Sequence, residues 1–193
     1  AGLLQLWYLL DHVDGQLARY HGTASLDGVQ LDYLMHHLVN VIIPVGVGWG
    51  LSVNQAQPLW ALVGFVWGMG LLSIGLWHDC RYKAFVQRLK WVRGELRVRG
   101  ASGAAAVPQP SIPASPRRHF KWILRKLCEI HVVMNVISAA ALLGWCFGDG
   151  RLWPFMAVVI AMGMASVVVA AGSIVTSLKR QACEYEFAAW YQV

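Results

Sequence analysis

The stretch DHVDGQLARYHGTASLDGVQLDYLMH, residues 11–36, decides how the rest of the chain is read. Its spaced elements are Asp11-x2-Asp14-Gly15-x2-Ala18-Arg19, eight residues, then Gly28-x3-Asp32-x3-His36. Four of the ten acidic residues (Asp11, Asp14, Asp27, Asp32) fall inside it, between two strongly apolar runs. A helix that carries the run AGLLQLWYLL on to Arg19 puts Asp11, Asp14 and Ala18 on one face, at i, i+3 and i+7. Gly28, Asp32 and His36 repeat at i, i+4 and i+8 on the next helix. Two helices are therefore expected to aim Asp11, Asp14, Asp32 and His36 into one cleft.

The remainder of the chain reads as the scaffold for that cleft. Hydrophobic residues make up 57% of the 193 positions, charged residues only 13%, and ten are tryptophan. Soluble chains carry about 25% charged residues, so roughly half the usual charge is present. The expectation is an all-α, polytopic membrane helix bundle forming a single domain, residues 1–193. Net charge is +6, and twelve of the sixteen Lys and Arg residues lie between Arg81 and Lys126. Basic residues gathered beside apolar runs, with no recognised nucleic-acid module, argue against a nucleic-acid partner and for a cytoplasmic membrane loop. Cys80, Cys128, Cys146 and Cys183 are far apart, which gives no support to a zinc ribbon or a redox pair and leaves them as reduced packing residues.

Taken in order, residues 1–10 are too short to span and read as the tail of a helix begun outside the given sequence, with no signal peptide in view. Complete spans are expected at 34–51, 59–77, 127–147 and 152–178, each with 18 residues or more, enough to cross about 30 Å of hydrocarbon. The polar turn at 52–58 separates the first two. A basic amphipathic stretch from His78 to Gly100 leads into the linker ASGAAAVPQPSIPASP, and 80–118 together reads as one basic cytoplasmic loop. The Lys and Arg distribution puts this loop and the tail after 178 on the cytoplasmic side, which by alternation puts residues 11–36 there too. Gly46, Gly48, Gly50 and Gly64-x3-Gly68 are expected to let helix backbones approach, within the bundle or in a homodimer.

Carboxylates so close repel one another unless a cation neutralises them. Oxygen-rich donors suit Mg²⁺ or Mn²⁺ better than zinc, and Mg²⁺ commonly shares its shell with substrate phosphates. Gly15 and Gly28 leave room for a phosphate-bearing group, and Arg19 offers a planar donor fork for its oxygens. The pattern resembles the signature of the CDP-alcohol phosphotransferase family, Asp-x2-Asp-Gly-x2-Ala-Arg-x8-Gly-x3-Asp-x3-Asp. Asp11, Asp14, Gly15, Ala18, Arg19, Gly28 and Asp32 match at the correct spacing. The resemblance implies a six-helix plan, of which the chain covers four complete helices and the end of another. It also implies a two-metal site of Mg²⁺ or Mn²⁺ held by Asp11, Asp14 and Asp32, with Gly15, Ala18, Arg19 and Gly28 shaping the cytidine and phosphate pocket. The implied reaction moves a phospho-alcohol group from a CDP-alcohol such as CDP-diacylglycerol to the hydroxyl of an acceptor alcohol, with release of CMP, in phospholipid biosynthesis. Where the family has its last Asp, this chain has His36. An imidazole is a fair general base at neutral pH but a poorer Mg²⁺ ligand. Two readings stay open: an enzyme with His36 as its catalytic base, or a weakened relative kept as a non-catalytic membrane scaffold.

Outside the pattern, His37 points about 100° away from His36 on a helix and reads as a packing residue. Asp27 reads as a cap or turn residue. Glu129, His131 and Asn135 are expected either to line an acceptor pocket or to make interhelical hydrogen bonds, the simpler account. Arg117 and Arg118 are expected to meet membrane lipid headgroups rather than an anionic acceptor. His78 and Asp79 are expected to be solvated. A di-haem bundle would need histidines in two tiers on facing helices, whereas most of the seven cluster at one boundary.

Overall fold

The computed structural model describes residues 1–23, 25–92, 97–98, 116–147 and 152–192. Seven helices follow in order: α1 Gly2–Tyr20, α2 Leu26–Gln55, α3 Leu59–Leu89, α4 Pro116–Leu127, α5 Ile130–Cys146, α6 Trp153–Lys179 and α7 Ala182–Trp190. A two-residue strand, β1 Arg97–Val98, pairs antiparallel with β2 Tyr191–Gln192. The linker at 101–115 and the turn at 148–151 lie outside the described residues.

Local chemistry accounts for the helix ends. Past Tyr20 the chain turns through Gly22, whose φ of +64° is left-handed, a conformation glycine adopts without a Cβ clash. Ser25 then starts α2 from an extended conformation, its Oγ accepting the Gly28 N–H at 3.0 Å, an ordinary N-cap. Ala56, at φ 50°, ends α2, and Pro58 caps α3 two residues later. The turn expected at 52–58 therefore shrinks to Ala56–Pro58, and residues 52–55 stay helical. In the same way α3 does not stop at Trp77 but absorbs the basic stretch as far as Leu89.

Three helices, α2, α3 and α6, are long and apolar enough to cross a membrane, and this is the architecture of an integral membrane protein. The fourth expected run is interrupted. Glu129 takes an extended conformation (φ −77°, ψ 136°) as the N-cap of α5, and the α4–α5 pair bends by 73° at that break. Alone, α5 has 17 residues, about 25 Å at about 1.5 Å per residue. The count is thus three spans, or four if the bent pair is one.

α3 sits between α2 and α6, while α5 packs on α6 and α1 on α5. The core follows that arrangement, with Trp67, Val133 and Val159 fully buried and Leu51, Trp60, Leu71, Ile137 and Met162 around them. Ser166 is buried on α6 and donates to the Gly163 carbonyl at 2.9 Å and the Trp67 carbonyl at 3.3 Å, so its hydroxyl is satisfied inside an apolar core. The α2–α3 contact depends on backbone proximity. A Cβ at Gly48 would lie 2.6 Å from the Trp60 carbonyl oxygen and 2.7 Å from the Gly64 Cα. Gly46 and Gly50, expected to act alike, have no neighbour within 4 Å. Leu62, Phe65, Leu142, Val168 and many other large apolar side chains are exposed, as a surface solvated by acyl chains requires.

A candidate metal centre between the first two helices

α1 and α2 form a hairpin that turns at Gly22. Asp11 lies nine residues before the end of α1, and His36 lies ten residues into α2, so the two meet across the hairpin. Among the described residues, one group of His, Cys, Asp or Glu side chains places three ligand atoms within 4.8 Å of one another: Asp11, Asp32 and His36. His36 Nε2 is 3.7 Å from Asp11 Oδ2, and His36 Nδ1 is 3.4 Å from Asp32 Oδ1. Two carboxylates and an imidazole from consecutive helices thus face one another at half-exposed positions.

The tautomer of His36 follows from its backbone contact. Nδ1 lies 3.0 Å from the Asp32 carbonyl oxygen, and a carbonyl only accepts, so this hydrogen bond places the proton on Nδ1. Nε2 faces the Asp11 carboxylate. Fixing one ring nitrogen on a backbone carbonyl orients the other as a base or a metal ligand. The edge of Trp7 packs against the same ring, centroids 6.1 Å apart, a contact for which the sequence spacing offers no signal.

The other candidate residues are distributed unevenly. Asp14 is exposed and stands outside the three-residue group. Three residues along a helix turn the side chain about 300°, and that rotation takes Asp14 off the line joining Asp11 to α2. Arg19 folds back over Gly15, its guanidinium nitrogens 3.7 and 3.8 Å from where a Cβ would stand. Ala18 is half-buried beside them, and Gly28 is exposed with Ser25 Oγ as its near neighbour. Asp27 sits in the first turn of α2, where a carboxylate favours the helix dipole.

Two polar links brace the hairpin, and a third joins α4 to α5. The Gln5 amide of α1 donates to Asn135 Oδ1 at 3.2 Å and Ser138 Oγ at 3.0 Å on α5, which makes Asn135 an interhelical partner. Glu129 accepts from Lys126 and stands 3.2 Å from His131 Nε2. Contrary to the solvated role expected for it, Asp79 accepts from His37 Nε2 at 2.6 Å, joining α3 to α2 immediately beside His36. Gly75, one turn before Asp79, makes space for the His37 ring. The Gly75-x3-Asp79 spacing, one face of α3, was the available sign of that partnership.

A concavity lies elsewhere, between the end of α3 and α7. It holds about 230 Å³ and is lined by Phe85, Arg88, Trp91, Cys183 and Phe187 among others. It has none of the donors gathered at Asp11, Asp32 and His36. Comparison with family models, curated proteins and solved structures finds no match to the chain. The site therefore stands on its own geometry.

Proposed function

We propose that the chain is a membrane-embedded, metal-dependent phosphotransferase that moves a phospho-alcohol group from a CDP-alcohol, such as CDP-diacylglycerol, to an acceptor hydroxyl and releases CMP. The observation that carries the reading is the convergence of Asp11, Asp32 and His36 from two consecutive helices. The spacing of the surrounding motif, which resembles the CDP-alcohol phosphotransferase signature, selects this reaction among those a divalent ion assists.

The donor set fits one divalent ion. Asp11 and Asp32 supply hard oxygens that suit Mg²⁺ or Mn²⁺. A second ion would draw on Asp14, one turn further along α1. Bound there, a divalent cation supplies charge stabilisation to pyrophosphate oxygens and to the departing CMP. The residues of the chain do the rest. Arg19, lying over Gly15, presents its donor fork to phosphate oxygens. His36 Nε2 takes the acceptor's proton as the acceptor oxygen bonds to phosphorus and the bond to CMP breaks. Nδ1–H on the Asp32 carbonyl keeps the ring in the tautomer this requires. We place the site on the cytoplasmic side, following the distribution of Lys and Arg, where a lipid donor keeps its tails in the bilayer.

The exposure of Asp14 favours a second reading, a weakened family relative that retains the fold as a scaffold. CMP release from labelled CDP-alcohols by the purified chain separates the two. Turnover that needs Mg²⁺ or Mn²⁺ and disappears in Asp32→Ala supports the enzyme, and a rise in His36→Asp identifies the imidazole as a weak base. Absence of turnover with every donor, in wild type and His36→Asp alike, supports the scaffold.

A further inference from the structure

The 73° break between α4 and α5 places two chemically different helices end to end. α5 is largely apolar, with His131, Asn135 and Ser138 as its polar side chains. Where it crosses the bilayer, α4 runs closer to the membrane plane than to its normal. The twelve residues PRRHFKWILRKL contain no acid. Phe120, Ile123, Leu124 and Leu127 recur at i, i+3, i+4 and i+7, one face of the helix. Leu124 and Leu127 are half-buried, and α4 packs on α6, but Phe120 is 61% exposed and Ile123 38%. The apolar face thus continues beyond what the protein covers.

The opposite flank is cationic and uncompensated. Lys121 and Arg125, at i and i+4, are exposed, and among the described residues no ion pair engages either. Lys126 differs, since Glu129 answers its charge at 2.8 Å. Trp122 stands among the cations with His119 stacked on it, centroids 5.8 Å apart, and the Lys126 ammonium 6.0 Å from its ring. Tryptophan beside cations is the composition of a membrane–water boundary.

We propose that α4 is an in-plane anchor that seats Phe120 and Ile123 at the acyl boundary and holds anionic phospholipid headgroups on Lys121 and Arg125. Charge complementarity selects the occupant. A basic amphipathic helix gains from anionic lipid in addition to apolar burial, whereas a zwitterionic headgroup leaves both cations unmatched. An acidic protein surface would match the charges but not the exposed Phe120 and Ile123 on the same helix. The inference is independent of the phosphotransferase reading and survives its failure.

The test uses the full chain in bilayers of phosphatidylcholine containing phosphatidylglycerol. Electron paramagnetic resonance measures the association of spin-labelled phosphatidylglycerol relative to spin-labelled phosphatidylcholine. The expected result is a preference for the anionic lipid that weakens with salt and falls about twofold or more in Lys121→Gln/Arg125→Gln. Both positions are exposed, so the variant keeps its fold, checked by its unfolding temperature. The proposal is overturned if no preference exists or if the double variant retains it in full. A second measurement takes the emission difference between wild type and Trp122→Phe with lipids brominated near the headgroup. Quenching of that component supports the seat, and a Trp122 untouched by the bilayer overturns it and leaves an acidic protein as the occupant.

Discussion

Gly48→Ala tests the packing that holds α2 against α3. The added Cβ would stand 2.7 Å from the Gly64 Cα and 2.6 Å from the Trp60 carbonyl oxygen. Carbon atoms prefer about 3.5–4.0 Å, so the two helices must separate by about 1 Å. Both obstructing atoms belong to backbone, which has no rotamer by which to yield. Overpacking of this kind costs about 1–3 kcal/mol, and the upper end applies. Alanine returns about 1 kcal/mol through helix propensity, leaving a net loss of about 2 kcal/mol. Gly46→Ala on the same helix receives the propensity gain alone, because nothing lies within 4 Å of its Cβ. At about 2–4 °C per kcal/mol for a chain of this size, the two variants should differ by about 6–12 °C in unfolding temperature. Thermal unfolding in detergent, followed by size-exclusion chromatography of the surviving fraction, reads the difference. Equal unfolding temperatures for Gly48→Ala and Gly46→Ala would refute the close α2–α3 contact.

Asp11→Asn should lower Mn²⁺ affinity, measured by calorimetry, about tenfold or more, whereas Asp14→Asn should change it by less, since Asp14 stands outside the ligand group. Asp79→Ala should cost about 1–3 kcal/mol in chemical or thermal unfolding, because the His37 ring would lose its Nε2 partner while its Nδ1 already has none. Burial, with Glu184 and Glu186 adding to it against Arg81, raises the Cys183 thiol pKa above its ordinary value. Less thiolate is then present at any given pH, so alkylation of Cys183 should lag that of a denatured control near neutrality and reach its plateau at higher pH. Stability tied to this thiol is present below the unfolded pKa and declines as pH rises through the folded one.

Much of the site was legible because it depends on helical periodicity over short distances. Asp32 and His36 share a turn of α2, and the hairpin brings Asp11 opposite them. Asp14 stands outside the three-residue group because i+3 on a helix returns to the same face only within a wide sector, and a ligand group is narrower than a face. The break before α5 was hidden for a different reason. Cys128 and Glu129 sit inside a long apolar run, and hydropathy averages across the one carboxylate that restarts the helix. The pairing of Asp79 is not legible locally, because its partner, His37, lies 42 residues away. A pairing between distant helices leaves no local trace beyond the glycine that accommodates it.

The two helices that carry Asp11, Asp32 and His36 are held with unequal firmness. α2 is fixed by Pro44, Gly48 and Leu51, all buried, while α1 contains no buried residue at all. Its polar attachment to α5 is the Gln5 amide, nearly two turns from Asp11. Asp32 and His36 therefore behave as the stationary jaw of a vice and Asp11 as the sliding one. Displacing α1 about Gln5 would widen the gap between Asp11 and His36 and leave the buried Trp60 and Trp67 of α3 undisturbed.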